Sequence, residues 1–354
     1  MSNKEALISS FDPNGVGMAN RLFGLPFTVH EAEVVVIRVP WEVTVSYKAG
    51  TAKGPEHILQ ASSQLDLTQQ DIPDAWHYGI ATLPSDNHWI NVNQELRART
   101  ARYIKQLEEG EPGWSSEPSL LQEVNEQGYQ LNEWVRRQSL TLLDQGKTPV
   151  VLGGDHSTPL GLMQALGEKH GSFGILQIDA HFDLRAAYEG FTYSHASIMH
   201  HALKIEAVKR LVSVGIRDFC EEEEARVTDS DARIVAFYDS IIKERLFEGV
   251  SWQMIARIIV DQLPQQVYIS FDIDGLDPAY CPNTGTPVPG GISYDQALYL
   301  VKLLVKSGRT IIGLDLSEVG YSELTDWDAN VGARVLYRLI NLMGVSQEKL
   351  SFQH

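Results

Sequence analysis

The feature that most constrains this chain is a short apolar run that ends in two carboxylates. Residues 267–272 read Val-Tyr-Ile-Ser-Phe-Asp, and Asp274 follows two residues after Asp272. A run so rich in β-branched and aromatic residues is typical of a strand buried on both faces. Because side chains alternate along a strand, Asp272 and Asp274 are expected on the same side of the chain. Carboxylates at the end of a buried strand are costly unless a cation meets them, and a metal ion is the most economical cation.

Apolar runs and helical segments alternate along most of the chain. This alternation predicts an α/β fold with a mostly parallel sheet covered by helices on both faces, and a site beyond the carboxyl ends of the strands. The predicted strands are 33–39, 76–81, 149–152, 173–178, 210–215, 233–237, the run beginning at 267, and 310–315. The predicted helices include 121–145, 251–262, 294–306 and 330–343.

The chain has 354 residues, which is compatible with one large domain over 1–354. Residues 1–30 show little regular pattern and are predicted to be an N-terminal extension on the surface. Residues 105–120, rich in glycine and proline, are predicted to be an insertion loop, because the helix that follows returns to the sheet.

Charge and composition exclude several classes of protein. The formal net charge of −17 disfavours nucleic acid or an anionic membrane as a partner and favours a cationic or neutral ligand. Cys220 and Cys281 show no spacing typical of a disulfide framework or a structural zinc site. The N-terminus lacks the features of a signal peptide, and no apolar run reaches the ~18 residues of a membrane span. A cytoplasmic location is therefore expected.

Two other predicted strand ends carry candidate metal ligands. Residues 179–183 read Asp-Ala-His-Phe-Asp, and in an extended chain the three polar side chains would face one way. A histidine also follows the Gly-Gly turn after strand 149–152. The candidate ligands, two imidazoles and four carboxylates, are His156, Asp179, His181, Asp183, Asp272 and Asp274.

Six protein ligands are more than one divalent ion needs if substrate must also reach it. Two ions that share bridging carboxylates would use all six, and four carboxylates neutralise two ions of charge +2. Oxygen-rich ligands with fewer imidazoles favour Mn²⁺; Ni²⁺ is the second choice, and Co²⁺ and Fe²⁺ stay open. Such a pair of ions acidifies water for attack on an electrophilic carbon.

Each motif also has a simpler interpretation when it stands alone. Asp-x-His-x-Asp occurs by chance on surface loops, Asp272 and Asp274 can form a capped turn, and His156 can be a structural histidine. Their joint occurrence at three predicted strand ends favours the metal centre.

The combined motifs resemble the ureohydrolases, the family of arginases and agmatinases. The matching segments are 153–157, 179–183 and 270–278, and the last continues through 284–291. The resemblance extends from about residue 33 to residue 343, with the motifs in the family's order. It implies a three-layer α/β/α fold of about eight strands and a binuclear manganese centre. It also implies hydrolysis of a guanidino group to urea and an amine, by a trimer or hexamer.

The resemblance also implies how the ligands divide. Asp179 and Asp272 would bridge the two ions, and Asp183 would also hold the attacking hydroxide. One ion would take His156, Asp179, Asp183 and Asp272, and the other would take His181, Asp179, Asp272 and Asp274.

Two further residues are implied to serve the substrate. Glu318 would pair with the guanidinium ion, because a carboxylate forms two parallel hydrogen bonds with that planar cation. His195 would shuttle protons to the departing amine. The simpler alternatives are a loop carboxylate and a structural histidine, and His200 and His201 stand close to His195 in the sequence.

Departures from the family pattern bear on the substrate. Ala196 stands where many relatives have glycine, and the asparagine-rich loop by which arginases hold the amino-acid end of arginine is absent. We therefore predict an agmatinase-like enzyme. The alternatives are a hydrolase of free guanidine, of guanidinobutyrate or guanidinopropionate, or of formimidoylglutamate, and a catalytically silent ligand-binding relative. Trp41, Trp89 and Trp114 either narrow the pocket or serve packing.

Overall fold

One parallel sheet of eight strands forms the centre of the protein. The computed structural model describes residues 2–110 and 118–353. The strand order is β2-β1-β3-β8-β7-β4-β5-β6, and every neighbouring pair is parallel. The strands are β1 Val34–Val39, β2 Ile80–Thr82, β3 Thr148–Gly153, β4 Phe173–Ile178, β5 Val208–Ile216, β6 Ile234–Tyr238, β7 Gln266–Asp272 and β8 Thr310–Ser317. The predicted α/β fold and strand number are confirmed.

Eleven α-helices lie within the described residues. They are α1 Asn3–Ser10, α2 Gly54–Ser62, α3 Asn87–Glu108, α4 Pro118–Asp144, α5 Leu160–His170, α6 Ile198–Ala202, α7 Glu221–Thr228, α8 Asp239–Phe247, α9 Trp252–Asp261, α10 Tyr294–Lys306 and α11 Trp327–Ser346. One layer contains α2, α11, α10 and α9, and the other contains α3, α4, α5 and α6. The sheet is therefore covered on both faces, as its apolar strands require.

Local sequence explains where several helices begin. Ser251, predicted as an N-cap, accepts a hydrogen bond from the backbone N–H of Met254. Ser293 and Gln296 form a reciprocal capping box at the start of α10. Pro55 lies in the first turn of α2, where the N–H that it lacks has no intrahelical partner.

The structure departs from the predicted elements in the N-terminal third. Residues 76–81, predicted as a strand, form a 3₁₀ turn through Tyr78 followed by the three-residue strand β2, because Gly79 breaks the run with a positive φ of 79°. Helix α1 lies within the segment expected to lack regular structure. Helix α3 was not predicted, since its sequence is mostly polar.

Both ends of the predicted insertion loop at 105–120 are helical in the structure. Helix α3 continues to Glu108 and α4 begins at Pro118, while residues 111–117, including Trp114, lie outside the described residues. The organisation into one domain with an extension and an insertion stays a prediction. None of the helices within the described ranges combines the length and apolar character that crossing a bilayer requires.

The sheet order determines where a site can form. Strands β3 and β4 follow one another in the chain, but β8 and β7 lie between them in the sheet. The chain therefore moves from one half of the sheet to the other after β3, and the crevice for a ligand opens at such a point. The carboxyl ends of β3, β8, β7 and β4 are consequently neighbours.

Candidate metal centre and substrate cavity

Three of the four central strands, β3, β4 and β7, deliver all six candidate metal ligands to one edge of the sheet. His156 follows β3, Asp272 ends β7, and Asp274 lies in the 3₁₀ turn Ile273–Gly275 directly after it. Asp179, His181 and Asp183 follow β4. Five of these side chains are buried, and the His181 side chain is 23% exposed.

The loop after β4 is not the extended chain that the spacing suggested. Asp183 has a φ of 55°, in the left-handed region, and its carbonyl accepts hydrogen bonds from the N–H groups of Met199 and His200. Aspartate tolerates this conformation better than most residues do. The three polar side chains of the motif therefore reach the centre through a turned loop, although the predicted residues are the ones that meet.

Four of the candidate ligands, here called the His156 set, converge on one point. His156 Nδ1 lies 3.1 Å from Asp179 Oδ2, 3.0 Å from Asp183 Oδ2 and 3.3 Å from Asp272 Oδ2. This nitrogen is buried and makes no hydrogen bond of acceptable geometry with any part of the chain that the structure describes. One imidazole nitrogen facing three carboxylate oxygens is a suitable donor set for a divalent cation.

Three ligands, here called the His181 set, form a second group beside the first. His181 Nδ1 lies 3.1 Å from Asp274 Oδ2 and 3.6 Å from Asp179 Oδ1. Asp179 therefore turns one oxygen to each set, as a bridging carboxylate does. Asp272 belongs to the His156 set, and its Oδ1 accepts a hydrogen bond from the N–H of Asp274. Its predicted bridging role stays a prediction.

The electrostatics of the two sets call for added positive charge. Burial, and after it the nearby Asp179 carboxylate, raises the pKa of Asp183 to about 7. Burial and then Asp274 raise the pKa of Asp272 well above its ordinary value. Carboxylates packed this closely in a dry site oppose each other's ionisation unless cations neutralise them. The donor types, their burial and the orphaned His156 nitrogen fit two divalent ions.

Two buried residues that sequence reasoning missed orient the ligands. Gln177 Nε2 donates to Asp179 Oδ2 at 2.9 Å, and Ser213 Oγ in turn donates to Gln177 Oε1 at 2.7 Å. Ser270 Oγ lies 2.9 Å from His156 Nε2. When Nε2 carries the proton, Nδ1 is left with a lone pair for a metal.

The positions of these supporting residues offered a signal. Gln177 precedes Asp179 by two residues, and Ser270 precedes Asp272 by two, so each lies on the same strand face as a candidate ligand; Gln177 bonds that ligand itself, and Ser270 bonds the neighbouring His156. Both are polar residues within otherwise apolar strands. A polar residue two positions before a strand-end ligand therefore indicates an orienting partner.

Glu318 lies just beyond β8 with its carboxyl group in the same cavity as the metal ligands. It is 3% exposed, and its Oε1 accepts a hydrogen bond from the backbone N–H of His156 at 2.9 Å. Its backbone has a φ of 63°, and its carbonyl accepts a hydrogen bond from Thr284 Oγ1. Burial, and after it the neighbouring Asp155 carboxyl, raises the pKa of Glu318 well above its ordinary value. A cation that binds beside this group stabilises its ionised form.

His195 is the histidine of its segment that reaches the cavity. It begins a 3₁₀ turn that ends at Ser197, and it lines the cavity together with Ala196. Burial, and after it the imidazoles of the metal centre, lowers the pKa of His195 to about 3. His201 instead bonds the carbonyl of Thr192, and His200 contacts Arg226.

The cavity above the metal centre has a volume of about 190 Å³. His156, His181, Asp183 and Asp272 line its floor, and Glu318 and His195 line it as well. Farther lining residues, none of them predicted, include Arg185, Tyr188, Asp218 and Thr286. The structure thus brings the predicted site residues to one place; Asp179 and Asp274 do not line the cavity but contact His156 and His181, which do.

The tryptophans considered for the pocket serve packing where the structure describes them. Trp41 and Trp89 are 1% and 3% exposed, and their rings meet edge to face with centroids 6.0 Å apart. Neither lines the cavity.

Sequence comparison relates the chain to known enzymes. Residues 32–341 match the model of the arginase family. N(1)-aminopropylagmatine ureohydrolase of Thermus thermophilus is 32% identical over 326 residues, which cover 91% of this chain and 94% of that protein. Agmatinase of Bacillus anthracis is 28% identical over 292 residues, covering 82% of this chain and 84% of that protein.

Solved structures share the fold. An agmatine ureohydrolase of Thermoplasma volcanium has a TM-score of 0.67 at 23% identity, covering 98% of this chain and 99% of that one. A hypothetical agmatinase of Burkholderia thailandensis has a TM-score of 0.69 at 24% identity, covering 93% and 90%. At these identities the likeness shows the fold alone.

Proposed function

The chain belongs to the arginase family, and on that premise we propose that the His156 and His181 sets hold two metal ions that serve a guanidinium bound at Glu318. The protein is a ureohydrolase of the agmatinase type, which hydrolyses a guanidino compound to urea and an amine. The observation that carries the assignment of residues is the buried Glu318 carboxyl in one cavity with the metal ligands.

The metal ions are assigned to the two sets by their donors. His156, Asp179, Asp183 and Asp272 would hold one ion, and His181, Asp179 and Asp274, with Asp272 as a second bridge, would hold the other. Three kinds of support favour Mn²⁺ over Ni²⁺: four carboxylates, few imidazoles and no thiolate among the candidate ligands. Bound divalent ions supply Lewis acidity and lower the pKa of a nearby water.

The protein's own side chains orient and protonate the reacting groups. Glu318 accepts hydrogen bonds from the substrate's guanidinium and directs its carbon toward the centre. Asp183 accepts a hydrogen bond from the attacking water. Because burial lowers its pKa, His195 enters the reaction neutral, so it takes a proton from the attacking water and passes it to the departing amine rather than storing one.

The pairing with Glu318 favours a guanidino group over a formimidoyl group. The formimidoyl cation has one nitrogen fewer, so it lacks the second terminal NH₂ group that a guanidinium can offer to the carboxylate. The relatives named agmatinase and N(1)-aminopropylagmatine ureohydrolase take, by their names, agmatine and N(1)-aminopropylagmatine. Free guanidine and short guanidino acids present the same reacting group, so Glu318 alone does not choose among them.

A urea-release assay tests the proposal. The purified protein is stripped with a chelator, reloaded with Mn²⁺ or Ni²⁺ in parallel, and analysed for metal content. It is then given agmatine, guanidinobutyrate, guanidinopropionate, arginine, guanidine and formimidoylglutamate. Urea from at least one guanidino compound at two ions per chain supports the proposal. Release of formamide from formimidoylglutamate alone, or no product from fully loaded protein, contradicts it.

The same proposal includes assembly into a homo-oligomer, a trimer or a hexamer. The family resemblance implies it, and the protein has exposed apolar side chains at Phe247 and Met254 near the edge strand β6. Light scattering on the purified protein gives its mass directly. A mass equal to one chain of 39.5 kDa would contradict oligomerisation.

A further inference from the structure

A buried carboxylate outside the substrate cavity holds the loop that lies against Glu318. Asp328 is 2% exposed and lies in the first turn of α11. Its Oδ2 accepts hydrogen bonds from the backbone N–H of Asn283 at 2.8 Å and from the thiol of Cys281 at 3.0 Å. Its Oδ1 accepts a hydrogen bond from Asn283 Nδ2 at 2.8 Å. The carboxylate therefore holds both the backbone and the side chain of Asn283.

The surroundings of Asp328 suit an anion. The three hydrogen bonds come from uncharged groups, and the N-terminal end of α11 adds the positive end of the helix dipole. Burial, and after it the Asp328 carboxylate, raises the pKa of the Cys281 thiol well above its ordinary value, so the thiol stays protonated and can donate. Removing one acceptor oxygen would leave a donor that is largely shielded from water without a partner.

The loop held in this way, here called the 281–286 loop, contacts Glu318. Thr284 follows Asn283, and its Oγ1 donates to the carbonyl of Glu318 at 2.7 Å. The two backbones pass so closely that a Cβ at Gly320 would collide with the carbonyl of Asn283. Farther along the loop, a Cβ at Gly285 would lie 3.0 Å from Glu318 Oε2. The loop thus lies against both the backbone and the carboxyl group of Glu318.

The backbone of Glu318 depends on such support. Its φ of 63° lies in the left-handed region, which a residue with a long side chain seldom occupies unless its neighbours hold it there. Its N–H donates to the carbonyl of Gly154 at 2.8 Å, and its carbonyl accepts the hydroxyl of Thr284. One of these two restraints therefore belongs to the 281–286 loop.

We propose that Asp328 is a positioning residue, which holds the 281–286 loop so that Glu318 keeps the conformation in which its carboxylate meets the guanidinium. The inference rests on the proposed function, because it takes Glu318 as the guanidinium site. Asp328 acts through Asn283 and Thr284, and it belongs neither to the cavity lining nor to the candidate metal ligands. Its loss should therefore displace Glu318 and leave the metal ions bound.

Asp328→Asn tests the proposal with a side chain of the same shape. The new NH₂ group faces a donor of the loop, so at least one of the three hydrogen bonds is lost. The Mn²⁺-loaded variant is assayed with agmatine, or with the guanidino compound that wild type hydrolyses fastest. We expect KM to rise about 10-fold, with two ions still bound per chain, because an orienting group displaced by about 1 Å can cost up to about 100-fold.

Thr284→Val removes the hydroxyl that links the loop to Glu318. It should raise KM to a similar extent, and it carries the same test if Asp328→Asn does not fold. The combination of both substitutions should raise KM no further than either alone, because the two residues act through one contact. Fully additive effects would contradict this route from Asp328 to Glu318.

A reciprocal exchange provides the rescue. When Asp328→Asn is combined with Asn283→Asp, the amide and the carboxylate change places, and the hydrogen bond between them forms in the opposite direction. KM should return toward the wild-type value. The matched control is Asp71→Asn, which makes the same substitution in the ion pair with Arg338. It should lower thermal stability and leave KM unchanged.

The outcomes separate this inference from the function on which it rests. Normal KM and kcat for Asp328→Asn, at a temperature where the variant is fully folded, overturn the inference and show a purely structural role. Loss of metal from the variant, or a raised KM that the reciprocal exchange does not restore, also overturns it. Absence of urea from every guanidino compound with fully metallated wild type instead removes the proposed function.

Discussion

Replacing Glu318 by glutamine removes one charge from the cavity and little else. The glutamine carbonyl can accept the same hydrogen bond from the N–H of His156 that Glu318 Oε1 accepts at 2.9 Å. The amide group has the size of the carboxylate, so it fits the same space beside Gly285, where an added Cβ would lie 3.0 Å from Glu318 Oε2. No metal ligand is altered. The fold and the metal content are therefore expected to stay as in wild type.

The size of the effect follows from the burial of Glu318. At 3% exposure the site is largely shielded from water, so a guanidinium there depends on the carboxylate for its counter-charge. Losing one partner of a buried charge pair costs about 2–4 kcal/mol, between the values for a charge-assisted hydrogen bond and a fully buried ion pair. At about 1.4 kcal/mol per factor of ten, kcat/KM should fall about 30- to 1,000-fold.

The assay measures urea release over a range of substrate concentration, with metal content determined on the same samples. Thermal unfolding of the Glu318→Gln protein provides the control for folding. Normal KM and turnover in a fully metallated variant would show that the guanidinium does not bind at Glu318. Loss of metal together with activity would assign Glu318 to support of the centre instead.

The remaining predictions concern the metal centre and one ion pair. Asp272→Ala should lower bound metal and reduce activity by more than the roughly 100-fold range typical of outer partners, and retained activity with two ions per chain would count against the site. Gln177→Leu removes the donor to Asp179 and should weaken Mn²⁺ binding about 10- to 100-fold by titration; unchanged affinity would deny the orienting role. Arg338 binds Asp71 through both oxygens at 2.8 and 2.7 Å and holds the pKa of Asp71 well below its ordinary value. Asp71→Asn should therefore cost about 1 kcal/mol of unfolding free energy at pH 7. The lowered folded-state pKa makes this contribution full above about pH 4 and smaller as the pH falls below it, so a difference from wild type that persists undiminished near pH 2 would refute the pairing.

The sheet and the meeting of the candidate metal ligands were predictable because they leave local signals. Strand β7 is a continuous apolar run, and Asp272 at its end and Asp274 just after it could be recognised as candidate ligands from their spacing and from the similar motifs after β3 and β4. Parallel strands align their carboxyl ends, so residues far apart in sequence could be expected to meet. Prediction and structure agree here because each strand has its own apolar pattern and each ligand motif follows directly after its strand.

The remainder depends on contacts that single segments do not reveal. Helix α3 is mostly polar, and its few buried residues, such as Trp89, become informative only when the layer over the sheet is known. The turned backbone at Asp183 is stabilised by N–H groups of α6, which lies 15 or more residues further along the chain. No signal in the sequence indicated that Arg185 lines the cavity, because a residue two positions after a candidate ligand can be assigned to the cavity wall only when the surrounding loops are known.

The order of strands in the sheet has a consequence for how the protein is made. Strands β7 and β8, which come last in synthesis, fill the gap between β3 and β4. Asp272 and Asp274 therefore join the other candidate ligands only after these last strands have been made and inserted. We expect the full pair of ions to bind only to molecules in which that insertion is complete.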